Sequence, residues 1–189
     1  SDGMGSGDKA REESRSTVKL IEDLLEIGFS RDLTFKTVNT VMQLRSCEET
    51  FATVDLALVD LIDGDVEICK IGAAPTFLKR GKQVKELSGS SLPLGILADV
   101  EMVTKVEKLV DGDILVMLTD GISEAGVKIN NSPNWVKKKL LGINHCHPQI
   151  IADSLLEEAC LRDKKRVLDD MTVIVCKIVS LHNSMETMN

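Results

Sequence analysis

Apolar residues recur along this chain first with the period of a helix and then, from about residue 52, with that of a strand. Val18, Ile21, Leu24 and Leu25, at i, i+3, i+6 and i+7, make a stripe that Gly28 ends. That spacing predicts a helix opening near Asp8-Lys9-Ala10. A second helix is predicted over 32–45, with Leu33 or Phe35, Val38, Val41, Met42 and Leu44 on its apolar face and Asp32 as N-cap. Residues 52–62 and 66–71 then read as strands joined by Asp63-Gly64-Asp65, a strong hairpin signal. Asp55 and Asp60 fall between apolar neighbours in the first of these strands, at positions expected to face solvent. Gly72-Ala73-Ala74-Pro75 interrupts the pattern, which resumes at 76–79 and turns at Arg80-Gly81-Lys82 into 83–87. The expectation is an antiparallel meander.

Residues 100–110 alternate again, and 114–118 are apolar without interruption, which implies burial on both faces. A short helix is expected over 132–141, around Trp135. Pro148, in a permitted first-turn position, opens a longer one through Ile150, Ile151, Leu155, Leu156 and Ala159. A last strand is expected over 171–179 and a polar tail over 181–189. Both groups of helices need a sheet face to cover. The predicted fold is therefore α+β, an α-β-β-α sandwich of two mainly antiparallel sheets flanked by helix layers, as one domain over 1–180.

Composition narrows the partners. The 189 residues carry a net charge of −7, which disfavours nucleic-acid backbones and anionic membrane surfaces. No apolar run reaches the roughly 18 residues of a membrane span, so no membrane contact is expected of this stretch. The five cysteines are scattered without CxxC spacing, which points to a reducing compartment and no disulfides. Cys69 and Cys176 lie in apolar strand-like runs, where a free thiol acts as a small hydrophobe. His145-Cys146-His147 lacks the remaining spacing of a zinc site and reads as a surface loop. Lys137-Lys138-Lys139 reads as a solvated face, or else as a dock for an acidic or phosphorylated partner.

Three stretches carry candidate chemistry. Ser1-Asp2-Gly3-Met4-Gly5-Ser6-Gly7 opens the chain, Asp120-Gly121 closes the apolar run 113–119, and Asp169-Asp170-Met171-Thr172 opens a β-branched run. Each sets an acidic residue where a strand meets a turn, an edge at which carboxylates can converge without burial. Such a cluster, with no lysine beside it, repels itself unless it holds a cation. Oxygen donors without a His or Cys cluster suit Mg²⁺ or Mn²⁺. Against this stands a plainer reading, in which the three edges are ordinary turns that never meet.

In order and spacing, Asp2-Gly3-Met4-Gly5, Thr119-Asp120-Gly121 and Asp169-Asp170-Met171-Thr172-Val173 resemble the metal-dependent serine/threonine phosphatases of the PP2C class. With Gly72-Ala73-Ala74-Pro75-Thr76-Phe77 and Leu92-Pro93-Leu94-Gly95, the pattern looks like the bacterial branch, nearest to the phosphatase domains of the stage II sporulation protein E group. The resemblance covers residues 1–179 and itself implies the sandwich fold, with two ions, Mn²⁺ or Mg²⁺, in a cleft at one end of the sheets. It implies that Asp2 bridges both ions, that Gly3 offers its carbonyl and that Asp120 and Asp169 hold the first ion, with Asp170 a neighbour. The family's acidic residue from an upstream strand has no counterpart here, so the domain is expected to be truncated at its N-terminus.

What the resemblance implies for function is hydrolysis of phosphoserine on a phosphorylated anti-sigma-factor antagonist, with water as nucleophile, in control of sporulation sigma-factor activation. The alternative is a non-catalytic regulatory phosphatase-like binding domain, inert because its metal site is incomplete. The likeness also implies a cytoplasmic domain of a membrane-anchored parent protein, gated by the helices in 9–45 and by a homodimer formed through them. Substitutions that disrupt the apolar stripe at Val38 or Val41 are accordingly expected to alter activation while metal binding, read by calorimetry, survives.

Overall fold

The helical part of the chain forms α1 (Asp8–Glu26) and α2 (Arg31–Arg45), which follow a two-residue strand, β1 (Asp2–Gly3). The computed structural model describes residues 1–3, 8–45, 51–126, 134–144, 147–163 and 169–180. Met4 to Gly7 of the glycine-rich turn, the His145-Cys146 pair and the 181–189 tail lie outside them. In α1 the buried stripe runs through Thr17 and Ile21, with Leu20, Leu24 and Leu25 beside it, while Val18 turns outward. Gly28, at φ +90°, ends the helix by directing its own amide to Leu25 and that of Phe29 to Leu24. Ser30, rather than Asp32, caps α2: its carbonyl accepts the Thr34 amide and its hydroxyl the Leu33 amide.

Two four-stranded sheets follow. The first has the order β1-β2-β3-β6, with β2 (Ala52–Val59), β3 (Asp65–Ile71) and β6 (Val103–Lys108). The second has the order β5-β4-β7-β8, with β4 (Thr76–Arg80), β5 (Gln83–Leu87), β7 (Ile114–Leu118) and β8 (Val173–Lys177). Its pairings are all antiparallel. The helices α3 (Asp120–Ser123), α4 (Trp135–Gly142) and α5 (Pro148–Arg162) lie between β7 and β8 in the chain.

The predicted meander is therefore cut in two. Strand β4 leaves β3 and pairs instead with β5 and β7. The cause is local. Gly72 takes φ +63°, its amide turns to the Ser91 hydroxyl, and Pro75 has no amide to offer a ladder. A strand that ends this way can pass to a different sheet.

The chain gathers into two compact units. The first comprises residues 1–57, 67–73 and 89–105. In it Ile21, Phe35, Val38 and Met42 of the helices pack on Ala52, Val54, Cys69 and Ile71 of β2 and β3. Asn39 of α2 adds a polar clamp, donating to the carbonyls of Leu97 and Ala98 and accepting the Gly95 amide. The second unit comprises residues 58–66, 74–88 and 106–189. Its core joins Phe77, Val84, Ile114, Val116 and Leu118 to Ile122, Trp135, Leu140, Ile151 and Leu155. Buried Asp113 takes two bonds from Arg80, at 2.9 and 2.7 Å, and one from the Val110 amide.

Three further expectations change. Asp60 is not a strand residue; its carboxylate accepts the amides of Ile62 and Asp63 and shapes the hairpin turn, whose Leu61 and Ile62 stand exposed. Cys176 is exposed because β8 has a single partner, β7, among the described strands. Asp55 does not face solvent. It forms an ion pair with Lys70 at 2.8 Å, and the lysine side chain is completely buried. Burial pushes the Lys70 ammonium below the ordinary lysine range, and the Asp55 carboxylate acts against that shift. Removing either partner of a buried pair strands the other charge, a loss of about 3–5 kcal/mol. Lys70→Met should therefore lower stability in urea unfolding by about that amount, and the double replacement Asp55→Leu with Lys70→Met should recover most of it.

Candidate metal centre

Strands β7 and β8 run antiparallel through five register pairs, from Ile114↔Lys177 to Leu118↔Val173. The end of β7 and the start of β8 must then lie side by side. Asp120 lies two residues past the end of β7, and Asp169 and Asp170 lead into β8. The ladder thus brings together two acidic edges that are some fifty residues apart in the chain.

The approach is close. A β-carbon placed on Gly121 would stand 2.5 Å from the Asp170 carbonyl oxygen and 3.2 Å from the Asp169 β-carbon. No residue with a side chain fits there without displacing the Asp169–Asp170 corner. Each flanking carboxylate is held by its own backbone: Asp120 Oδ1 accepts the Gly121 amide at 2.9 Å, and Asp169 Oδ1 the Asp170 amide at 2.8 Å. Such a bond sets the rotamer and leaves the other oxygen, Oδ2, pointing elsewhere. Both residues are exposed, and among the described residues no lysine or arginine pairs with either. Exposed carboxylates held close without a counter-charge are the donor chemistry that a hard divalent cation takes.

The segment after Asp120 is anchored too. The Gly126 amide donates to buried Asp163 at 2.7 Å, and the Trp135 indole donates to the Ser123 carbonyl at 3.2 Å. Arg162 lies over the Trp135 ring, 4.8 Å from its centre. These contacts tie α3 to α4 and α5. Neither α3 nor its anchors were expected from the sequence, because four residues are too few to show a helical period.

Asp2 and Gly3 belong to the first unit, on β1, in register with Thr53 and Ala52 of β2. Residues opposite one another share a sheet face, so Asp2 lies on the face of Thr53 and Asp55, opposite the one that Ala52 and Val54 bury against the helices. On this face the Asp55 charge is already answered by Lys70. Gly3 runs directly beneath the first turn of α1: a β-carbon on it would collide with the Ala10 carbonyl. Among the described residues, no three His, Cys, Asp or Glu side chains form a complete ligand cluster. Of the expected set, Asp120 and Asp169 lie in the second unit and Asp2 and Gly3 in the first.

The family model for stage II sporulation protein E matches residues 1–179. The chain belongs to the stage II sporulation protein E family. It is 40% identical over 178 residues to stage II sporulation protein E of Bacillus subtilis (strain 168), covering 94% of this chain and 22% of that protein. The chain thus spans about a fifth of the length of that relative. Among solved structures it is similar to the PP2C phosphatase domain, with a fragment of the regulatory domain, of the same B. subtilis cell-fate determinant. That match has a TM-score of 0.84 and 40% identity, over 94% of this chain and 52% of the other. A manganese-presoaked structure of the B. subtilis phosphatase domain matches with a TM-score of 0.65 and 36% identity, over 86% and 73%. The two antiparallel sheets with their helices match the PP2C phosphatase fold. The part of the relatives that this chain matches is a PP2C-type serine/threonine phosphatase domain.

Gly121 gives the closest test of the geometry. Gly121→Ala should lower stability by about 1–3 kcal/mol through overpacking, seen as a drop in the thermal midpoint, and should weaken any cation binding that depends on Asp120.

Proposed function

We propose that this chain is the catalytic domain of a metal-dependent protein serine phosphatase whose substrate is a phosphorylated anti-sigma-factor antagonist. The observation that carries this reading is the convergence of Asp120 and Asp169 at the end of the β7–β8 ladder, in a chain of the stage II sporulation protein E family. The similar B. subtilis phosphatase domain presoaked with manganese supports Mn²⁺ as a working cofactor, with Mg²⁺ the alternative of like ligand chemistry.

In this reading Asp120 and Asp169 would hold one ion through the oxygens their backbone amides leave outward. Asp2 and the Gly3 carbonyl would contribute from β1. Two bound ions supply an activated water and neutralise charge on the phosphoryl oxygens. The chain's own part is to fix the donors. Backbone amides orient both carboxylates of the second unit, and Gly121 admits the close approach of the corner that carries Asp169. Lys70 holds Asp55 away from service as a competing ligand on the face of Asp2.

Control of the site through the helices in 9–45 has a physical route. Gly3 packs under Ala10 and the Ser14 hydroxyl donates to the Ser1 carbonyl at 2.8 Å, so a shift of α1 is felt directly at Asp2. Val18, Leu33 and Leu44 on these helices, with Ile27 just past α1, leave apolar surface for a second copy. No helix among the described residues is long and apolar enough to cross a membrane, and a membrane anchor would lie elsewhere in the parent protein.

Manganese titration of Asp2→Ala, Asp120→Ala and Asp169→Ala, read by calorimetry and by phosphate release from a phosphoserine protein, tests the reading. Each variant is expected to lose manganese-dependent release to background. Undiminished release in Asp120→Ala and Asp169→Ala would overturn it. Manganese binding without release, in the full-length protein as well, would favour the regulatory binding domain instead.

A further inference from the structure

Thr119 stands at the N-cap of α3 with extended backbone, φ −83° and ψ 164°, yet its side chain caps no amide of that helix. An N-cap threonine ordinarily turns its oxygen to the second or third amide of the helix it begins. Here the hydroxyl reaches the other way, to the chain entering β8. It donates to the Asp170 carbonyl at 2.9 Å and accepts the Thr172 amide at 3.0 Å.

The main chain explains the exchange. Past the last ladder pair, Leu118↔Val173, the next opposed residues are Thr119 and Thr172. In a continuing antiparallel ladder such a pair trades two backbone bonds. One of them forms, from the Thr119 amide to the Thr172 carbonyl at 3.1 Å. The other cannot, because the Thr119 carbonyl has turned into α3 and accepts the amides of Ile122 and Ser123. The hydroxyl takes the carbonyl's place in the ladder. One residue thus serves both structures, its carbonyl starting the helical turn of Asp120 and its side chain prolonging the sheet to the Asp169–Asp170 corner.

We infer that Thr119 is a positioning residue of the metal centre, whose hydroxyl holds the Asp169–Asp170 corner in register with Asp120. The inference rests on the metal reading given under the proposed function and deepens it. The corner is exposed, so without the hydroxyl the Thr172 amide and the Asp170 carbonyl can turn to water. Asp169 would then drift from Asp120 while the ladder from Leu118 onward stays formed. Valine matches the shape of threonine and removes both bonds, whereas serine keeps them.

The test uses the full-length protein. Thr119→Val is expected to weaken Mn²⁺ binding by about 10–100-fold, the range for partners that orient metal ligands, and to lower phosphate release at subsaturating Mn²⁺. Thr119→Ser is expected to restore both, and the metal-free thermal midpoint of the two variants should stay close to that of the parent. Should Thr119→Val fail to fold, Thr119→Ala takes its place, with faster hydrogen exchange at the Thr172 amide as a second readout. Unchanged Mn²⁺ affinity in the folded Val or Ala variant, where Asp120→Asn abolishes binding, would overturn the role of Thr119 alone. Binding that is indifferent to Asp120→Asn would overturn the metal reading and the inference with it.

Discussion

The antiparallel pairing of β7 with β8 is the constraint on which the second unit depends. Ladder bonds fix two strands in register, and in this case the register runs to Leu118 and Val173, within a few residues of each acidic turn. Bringing the turns that carry Asp120 and Asp169 side by side needs structural work from elsewhere. That work comes from strand pairing along Ile114–Leu118 and from burial of Ile114, Val116 and Leu118 in the core. Gly121 and the backbone-held rotamers of the two aspartates then set the distance.

The first unit handles its charge differently. Lys70 is buried and its partner Asp55 lies on the face that carries Asp2. A buried pair contributes little net stability, because desolvation offsets most of the attraction. What it does contribute is specificity of arrangement: one carboxylate of the face is neutralised inside the protein, and a ligand set proposed for that face need not include it. The same unit couples Asp2 to the helices through glycine. Gly3 has no β-carbon, so α1 can rest its first turn on the strand.

The match to the stage II sporulation protein E family spans residues of both units. Under the proposed reading, a water nucleophile would ask little of the protein's side chains beyond oxygen donors held at fixed places. The arrangement at the β7–β8 end lies largely in backbone: glycines at close approaches, amides bound to their own carboxylates, and a threonine carbonyl and hydroxyl divided between a helix and a sheet.

Periodicity alone determined most elements here. The stripes of α1 and α2, the hairpin at Asp63-Gly64, the buried run at 114–118 and the helix opening at Pro148 follow from the local repeat of apolar residues, and the structure keeps them. The ordered motifs around Asp2, Asp120 and Asp169 also identified the family from local strings of residues. What the repeat could not encode is which strand lies beside which. Strand β4 continues the alternation of β3 and yet belongs to the other sheet, because Gly72 and Pro75 redirect the chain and β7 supplies a partner about forty residues further on. Asp55 has the pattern of a solvent-facing residue, and only the strand that places Lys70 beside it makes the position an internal one. Thr119 gives no local sign of its part in the sheet, because the partners of its hydroxyl arrive only with the chain entering β8. Local pattern reports what a residue can bury; partners distant in the chain decide what it meets, and that is settled only when the tertiary structure forms.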